Sequence, residues 1–362
     1  MTIRSAHGDL LKAPVEALVN TVNTEGVMGK GIALQFKRAY PDMFKAYARA
    51  CRDGGVQLGS MWVWPTASLE GPRLIINFPT KGHWRSRSRL ADIQGGLTDL
   101  QRVITEYEIT SIALPPLGCG NGGLDWAAVR PIIEYALGAL AGVDVHLFEP
   151  AGTPDAADMA TATQRPPMTR GKAALVTLLR RYSERAFEAS LIEAQKLMYF
   201  LQVSGEDLRL RYQRGPYGPY ADNLNHVLKA VEGHFITGFG DGSKRVAASE
   251  PLIVHDDAFL EAEPIVASET ELSRRVERVL RLTEGFESAY NMELLASVHW
   301  VAQEDPSARR DPKVAGKLVR EWSRRKQGLF GQSDIEIAWR RLNDQQWLSA
   351  NVDDPLIHAG LI

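Results

Sequence analysis

The sequence predicts a layered α/β domain followed by a mainly helical one, and three observations carry that reading. Short apolar runs alternate with stretches of helical period over residues 1–150. Residues 151–172 are rich in Ala, Thr and Pro, lack apolar periodicity and read as an interdomain linker. Over residues 173–362 helical, charged segments follow one another with few strand signals. A length of 362 residues suits two or three domains.

Residues 3–9 read as a first strand ending in Gly8-Asp9-Leu10, and residues 15–19 as a second, a buried apolar run bounded by Pro14 and Asn20. Gly26, Gly29 and Gly31 then lead into a helix expected over 31–52, its apolar positions running from Ile32 to Tyr47 and its stop at Gly54-Gly55. Such a loop is either an anion cradle of backbone amides at a helix N-terminus or a turn that needs glycine for geometry alone. A P-loop is excluded, because it requires Gly at Thr24 and Ser or Thr where Gly31 stands.

Strands at 61–64 and 74–78, a helix at 90–107, a strand at 111–114, a helix at 126–140 and a strand at 143–148 complete the first domain. The loop at 118–123 spells G-x-G-x-x-G. A dinucleotide fingerprint, however, follows the first strand and needs an acidic residue about 20 positions on, where Val143 stands. Ligands of layered α/β sheets sit outside the C-terminal strand ends, so the two glycine loops are expected to face one crevice. In the second domain, helices are expected over 175–187, 191–203, 221–232, 271–282, 292–301, 314–325 and 335–342.

A formal net charge of -2 argues against a protein that coats polyanions and leaves room for a local basic patch. Two cysteines far apart, Cys51 and Cys119, imply no disulfide framework and a reducing compartment. The N-terminus has no signal segment and no apolar run is long enough to span a bilayer, so no membrane partner is expected and the expected location is cytoplasmic. The eight histidines show no metal-ligand spacing, and neither a metal nor a cofactor is expected.

Four motifs in order carry a more specific resemblance: Gly8-Asp9-Leu10, Val19-Asn20-Thr21-Val22-Asn23, Gly29-Lys30-Gly31-Ile32-Ala33, and Pro116-Leu117-Gly118-Cys119-Gly120 with Gly123-Leu124 and Trp126. Together they resemble a macrodomain, a three-layer α/β/α mixed sheet, in the branch that holds the terminal ADP-ribose glycohydrolases and the DarG antitoxins. The resemblance implies an ADP-ribose cleft. In it Asp9 accepts from the adenine amino group, Leu10 adds a backbone contact, Asn20 braces the loop and Asn23 meets the distal ribose. Gly29, Lys30, Gly31 and Ile32 approach that ribose and the diphosphate, while Gly118, Cys119, Gly120, Asn121, Gly122, Gly123 and Leu124 wrap the phosphates.

Lys81, in Asn77-Phe78-Pro79-Thr80-Lys81, matches the lysine that reaches the anomeric carbon in this branch. As a nucleophile it needs a pKa depressed by burial or by cationic neighbours such as Arg85, Arg87 and Arg89; protonated, it stabilises charge on the departing base or orients the ribose. The glycohydrolases pair this lysine with an aspartate in the second glycine loop, where Gly122 stands here, and Asp125 is out of register. The expected route is therefore water attack at the anomeric carbon, with Asn23 and Lys81 as the catalytic pair that orients ribose and nucleophile.

In the second domain, Gln195-Lys196-Leu197 with Tyr199-Phe200, and Gly215-Pro216-Tyr217-Gly218-Pro219, are similar to the SocA-like antitoxin domains. The stripe of Leu191, Ala194, Leu197, Met198 and Leu201 is, on its spacing, core. The combination resembles the whole DarG architecture. It implies removal of ADP-ribose from thymidine in single-stranded DNA, with ADP-ribose as product, and neutralisation by binding of a DarT-type DNA ADP-ribosyltransferase toxin. Trp84, Arg85 and Arg87 are the expected DNA contacts, through base stacking and phosphate charge. Two other functions fit the same residues: an ADP-ribose reader without turnover, and a hydrolase of ADP-ribosylated protein glutamate.

Overall fold

Alternation of apolar side chains lets one sheet bury both faces, and this builds the first unit. The computed structural model describes residues 2–67, 71–150, 152–186, 188–244, 246 and 249–349. They divide into two units, one of residues 1–164 with Asp241–Lys244, the other of the remainder.

In the first unit six strands, β1 (Thr2–Ala6), β2 (Ala17–Asn23), β3 (Trp62–Pro65), β4 (Leu74–Lys81), β5 (Ser111–Leu114) and β6 (Asp144–Phe148), form one sheet in the order β1-β6-β5-β2-β4-β3. Every pairing is parallel except β3 with β4, so the sheet is mixed. Along β2, Val19 faces one core with Phe78, Leu97, Leu100 and Ile133, and Leu18 and Val22 face the other with Phe36, Tyr47 and Ile75. Helices α1 (Gly31–Ala39) and α2 (Pro41–Arg52) carry Phe36 and Tyr47, while α3 (Leu90–Glu106) and α4 (Trp126–Leu137) cover the opposite face. The three-layer α/β/α sheet expected from the sequence is the fold of this unit.

Three local expectations change. The helix expected over 31–52 is two helices, because Pro41 supplies no N–H and pushes Tyr40 out of the helical region, to φ -132 and ψ 68. Strand β2 runs past residue 19 to Asn23, so the Asn-Thr-Val-Asn motif is strand rather than loop. Strand β4 runs past residue 78 to Lys81, with a register shift at its end that pairs Val22 with Pro79 and Asn23 with Lys81 and skips Thr80. Pro79 cannot donate to the ladder, and the resulting bulge sets the direction in which Lys81 leaves the sheet.

The second unit is mainly helical, with α5 (Arg170–Ser183), α6 (Leu191–Val203), a hairpin of β7 (Tyr212–Gly215) and β8 (Gly218–Ala221), and α7 (Asp222–Val231). A short pair, β9 (Ile236–Thr237) and β10 (Ile253–Val254), leads to α8 (Asp256–Ser268), α9 (Thr270–Thr283), α10 (Ala289–Glu304), α11 (Pro312–Glu321), α12 (Arg324–Leu329) and α13 (Gln332–Asp344). Helix α10 is its axis, buried without interruption from Met292 to Ala302. A capping box of Ser190 and Glu193 starts α6. The helix expected over 314–325 divides where the Ser323 hydroxyl accepts from the Lys326 N–H at 3.2 Å and caps α12. Before α5, Ala156 is buried and the Ala162 N–H donates to the Arg38 carbonyl, so the stretch between the expected domains packs on the first unit.

Candidate active site

Strand order decides what can meet. Strands β5, β2 and β4 are neighbours and run the same way, so the loops that leave their C-terminal ends emerge side by side. These are the glycine loop at 118–123, the glycine loop at 26–31, and the segment from Lys81 to Arg89.

The first loop is organised by Asn23, 6 % exposed. Its Oδ1 accepts from the N–H groups of Glu25 and Val27 at 3.1 and 3.2 Å, and its Nδ2 donates to the Val27 carbonyl at 2.6 Å. The Tyr47 hydroxyl donates to the Asn23 carbonyl at 2.9 Å. Asn23 therefore clamps its own loop and has one further amide hydrogen to offer. Asn20 lies fully buried one step back; its Nδ2 donates to Asn77 Oδ1 at 2.9 Å and ties β2 to β4, while its Oδ1 has no partner among the described residues. Gly31 begins α1 at φ +63, and its N–H donates to the Asp241 carbonyl at 3.2 Å, so the foremost amide of the cradle has an acceptor within the unit.

The second loop turns twice through the left-handed region, at Gly118 and Gly123. The Gly123 and Leu124 N–H groups donate back to Gly120 and Gly118. Those of Gly120, Asn121 and Gly122 meet no acceptor among the described residues. Ser88 closes the loop from below: its N–H donates to the Gly122 carbonyl at 3.0 Å. A Cβ on Gly122 would lie 2.3 Å from Ser88 Oγ and 2.4 Å from the Gly118 carbonyl oxygen. The Ser88 hydroxyl is buried and has no partner among the described residues.

The loops touch. A Cβ on Gly31 would lie 3.2 Å from Asn121 Nδ2, and Lys81 Nζ donates to the Asn121 carbonyl at 3.2 Å. Burial lowers the pKa of Lys81 from that of a solvated lysine. Arg89, one of the cations expected to assist, is instead held by Asp92 at 2.9 Å. The Cys119 thiol is pushed up to about 11 by burial, which keeps it protonated and removes it as a nucleophile at neutral pH. Asp125 accepts from the Ala127 N–H at 3.2 Å as the N-cap of α4.

Asp9 caps a short helical turn through the Leu11 N–H at 2.9 Å, with Leu10 buried behind it. Trp84 is 44 % exposed, stacked between His83, with ring centroids 5.5 Å apart, and the Arg85 guanidinium at 4.5 Å. Arg87 packs over Gly123, whose Cβ position lies 3.4 Å from its Nε. Sequence reasoning missed Ser88, Asn77 and the Tyr47 hydroxyl. Tyr47 was visible only as an apolar helix position, and nothing in the sequence marks Ser88. Among the described residues no group of three His, Cys, Asp or Glu side chains could hold a metal ion, and no helix is long and apolar enough to cross a membrane.

A sequence signature described as Macro domain matches residues 19–133. A Mycobacterium tuberculosis protein named DNA ADP-ribosyl glycohydrolase is 46% identical over 347 residues, covering 92% of this chain and 97% of its own. A Thermosipho africanus protein named as a fusion of a DNA ADP-ribosyl transferase and a DNA ADP-ribosyl glycohydrolase is 33% identical over 141 residues, covering 35% of this chain and 36% of its own. The solved macrodomain of Mycobacterium tuberculosis DarG is 57% identical, with a TM-score of 0.41, and covers 41% of this chain and 99% of its own.

Proposed function

The chain belongs to the DNA ADP-ribosyl glycohydrolase family, and from that premise we propose that its first unit removes ADP-ribose from thymidine in single-stranded DNA. The observation that carries the site assignment is the meeting of Gly31, Lys81 and Asn121, from three separate loops, at one edge of the sheet.

In this reading the amides of Gly120, Asn121 and Gly122 take the diphosphate, with Gly118, Cys119, Gly123 and Leu124 shaping the loop. Gly29, Lys30, Gly31 and Ile32 border the distal ribose, which Asn23 also meets, Asp9 and Leu10 take the adenine, and Asn20 braces the first loop. A water oxygen, oriented with the ribose by Asn23 and Lys81, attacks the anomeric carbon and loses a proton to solvent, while the carbon–nitrogen bond to the base breaks and its electron pair leaves on the base, which takes up a proton. Protonated Lys81 stabilises that developing charge, and its lowered pKa eases transfer of the proton. Trp84, Arg85 and Arg87 meet the DNA strand.

Incubation with ADP-ribosylated single-stranded oligonucleotide tests the assignment. The wild type releases ADP-ribose, and Lys81→Ala binds but cleaves about 10²–10³-fold more slowly. Equal turnover by the variant removes Lys81 from catalysis. A parallel assay on ADP-ribosylated glutamate peptide separates DNA from protein substrates, and binding without release in both would make the protein a reader.

The second unit, over residues 173–362 and joined through 151–172, is read as the part that binds and inhibits a DarT-type DNA ADP-ribosyltransferase in the cytoplasm. Support comes from the Thermosipho relative, whose name couples transferase and glycohydrolase in one chain. Full-length Lys81→Ala should still inhibit the transferase; loss of inhibition together with turnover would place neutralisation in the first unit's chemistry.

A further inference from the structure

Helix α9 turns four arginines, Arg274, Arg275, Arg278 and Arg281, toward a hollow of about 260 Å³ in the second unit, which Ser204 completes. Two of the four are neutralised: Arg275 donates to the buried carboxylate of Glu206 at 2.7 Å, and Arg274 to Glu271 at 2.6 Å. The other two are not. Arg278 lies 4.4 Å over the Trp347 ring and donates to the Gln346 carbonyl at 3.2 Å. Among the described residues no carboxylate stands at ion-pair distance from Arg278 or Arg281. Burial and the positive charges of Arg274 and Arg281 together lower the pKa of Arg278, so the fold holds these cations against mutual repulsion.

Like charges gathered in a half-buried hollow cost stability unless an anion from outside the fold offsets them. Guanidinium forks match phosphate oxygens in bidentate fashion. From Arg274 to Arg281 the helix rises about 10 Å, enough for two successive phosphates. The lining residues are four arginines and one serine, so donors that phosphate oxygens accept from gather in one hollow, beside apolar arginine stems. A chain of net charge -2 also needs a local cationic site if it is to hold a polyanionic strand.

We propose that this hollow binds the phosphodiester backbone of single-stranded DNA, a contact to the strand additional to the cleft of the first unit. The inference rests on the DNA-directed reading above.

Fluorescence anisotropy of the full chain with a labelled, unmodified single-stranded oligonucleotide, across a salt series, tests it. Arg278→Gln/Arg281→Gln should bind about tenfold more weakly, with a salt slope reduced by about 1.4, or about 0.7 for each phosphate released. The exposed Arg281→Gln alone should show about half the slope change, which guards against misfolding of the double variant. ADP-ribose at a concentration that fills the cleft should leave the arginine-dependent binding in place. Hydrolysis of ADP-ribosylated thymidine nucleoside should be unchanged in both variants. Unchanged affinity and salt slope overturn the proposal. So does displacement of the strand from the hollow by ADP-ribose, which would assign the site to a nucleoside diphosphate, or loss of transferase binding with strand binding intact, which would assign it to an acidic protein. A wild type that binds the strand through these arginines yet hydrolyses no modified nucleoside would remove the glycohydrolase reading and leave the hollow standing.

Discussion

The glycine-loop edge of the first unit and the ion cluster under the β7–β8 hairpin of the second both gather polar groups, with opposite bookkeeping. Beneath the hairpin, Glu293 accepts from Arg325 and from Lys326, Lys326 also donates to Ser297 at 3.0 Å, and Lys196 donates to the Pro219 carbonyl at 2.7 Å. Nearby His299, held neutral by burial at about 3, accepts or donates at 2.8 Å to the Tyr199 hydroxyl. Every one of these groups has an internal partner. At the loop edge the amide of the buried Gly122, the Ser88 hydroxyl and Asn20 Oδ1 have none among the described residues. Buried polar groups that lack partners are costly to keep without a function, so an edge that gathers several of them is where a ligand is to be sought.

Glu293→Gln strikes the satisfied side hardest. It leaves Lys326, Arg325 and Lys196 with no buried counter-charge, and unfolding of the second unit should become easier by about 3–5 kcal/mol, read from urea melts. A loss below about 1 kcal/mol would mean that the cluster is not a closed network.

On the unsatisfied side, Gly122→Ala should weaken ADP-ribose binding about tenfold by calorimetry, because its Cβ must displace Ser88 Oγ and the Gly118 carbonyl and distort the loop. Wild-type affinity in that variant would detach the loop from the diphosphate.

The buried lysines also make the second unit sensitive to pH. Burial lowers Lys196 to about 7 and lowers Lys326 as well, whereas the unfolded chain keeps both protons up to about 10.5. Between those limits the unfolded state binds more protons, so stability rises as pH goes from about 7 toward 10 and is lower below 7. Urea melts at a series of pH values should show the unfolding free energy of the second unit rising over that range, and Lys196→Met should flatten the rise. A flat wild-type profile would refute the shift.

Ser88→Ala carries the smallest expected effect and sharpens the contrast most directly. Deleting a buried hydroxyl that has no protein partner should change the melting temperature by less than about 2 °C. A large loss of stability would reveal a partner and move Ser88 to the architectural side.

Much of the fold was legible. The strands and helices of the first unit sit close to their apolar runs, because a sheet covered on both faces must be written as short, nearly continuous apolar segments. The breaks were harder to read. At Pro41 the apolar spacing from Phe36 to Tyr47 carries straight across the proline, and periodicity cannot distinguish one helix from two that share a face. Helix α8 escaped for the opposite reason: Pro264, a residue that argues against a helix interior, lies inside it. In the site, the two glycine loops and Lys81 were identifiable from motifs, while Ser88 was not, and Asn77 stood in a motif without a role of its own, since their meaning lies only in what they touch.

By itself, the sequence determined the residue types of the cleft: glycines where a Cβ would obstruct, a lysine after an apolar strand, asparagines able to clamp a turn. Only the tertiary structure decided that they form one place. Gly31, Lys81 and Asn121 are brought together by the β5-β2-β4 order, and the direction of Lys81 by a bulge at Thr80. Strand order and register are set by long-range packing of both sheet faces, a property of the assembled core that no local stretch of sequence contains.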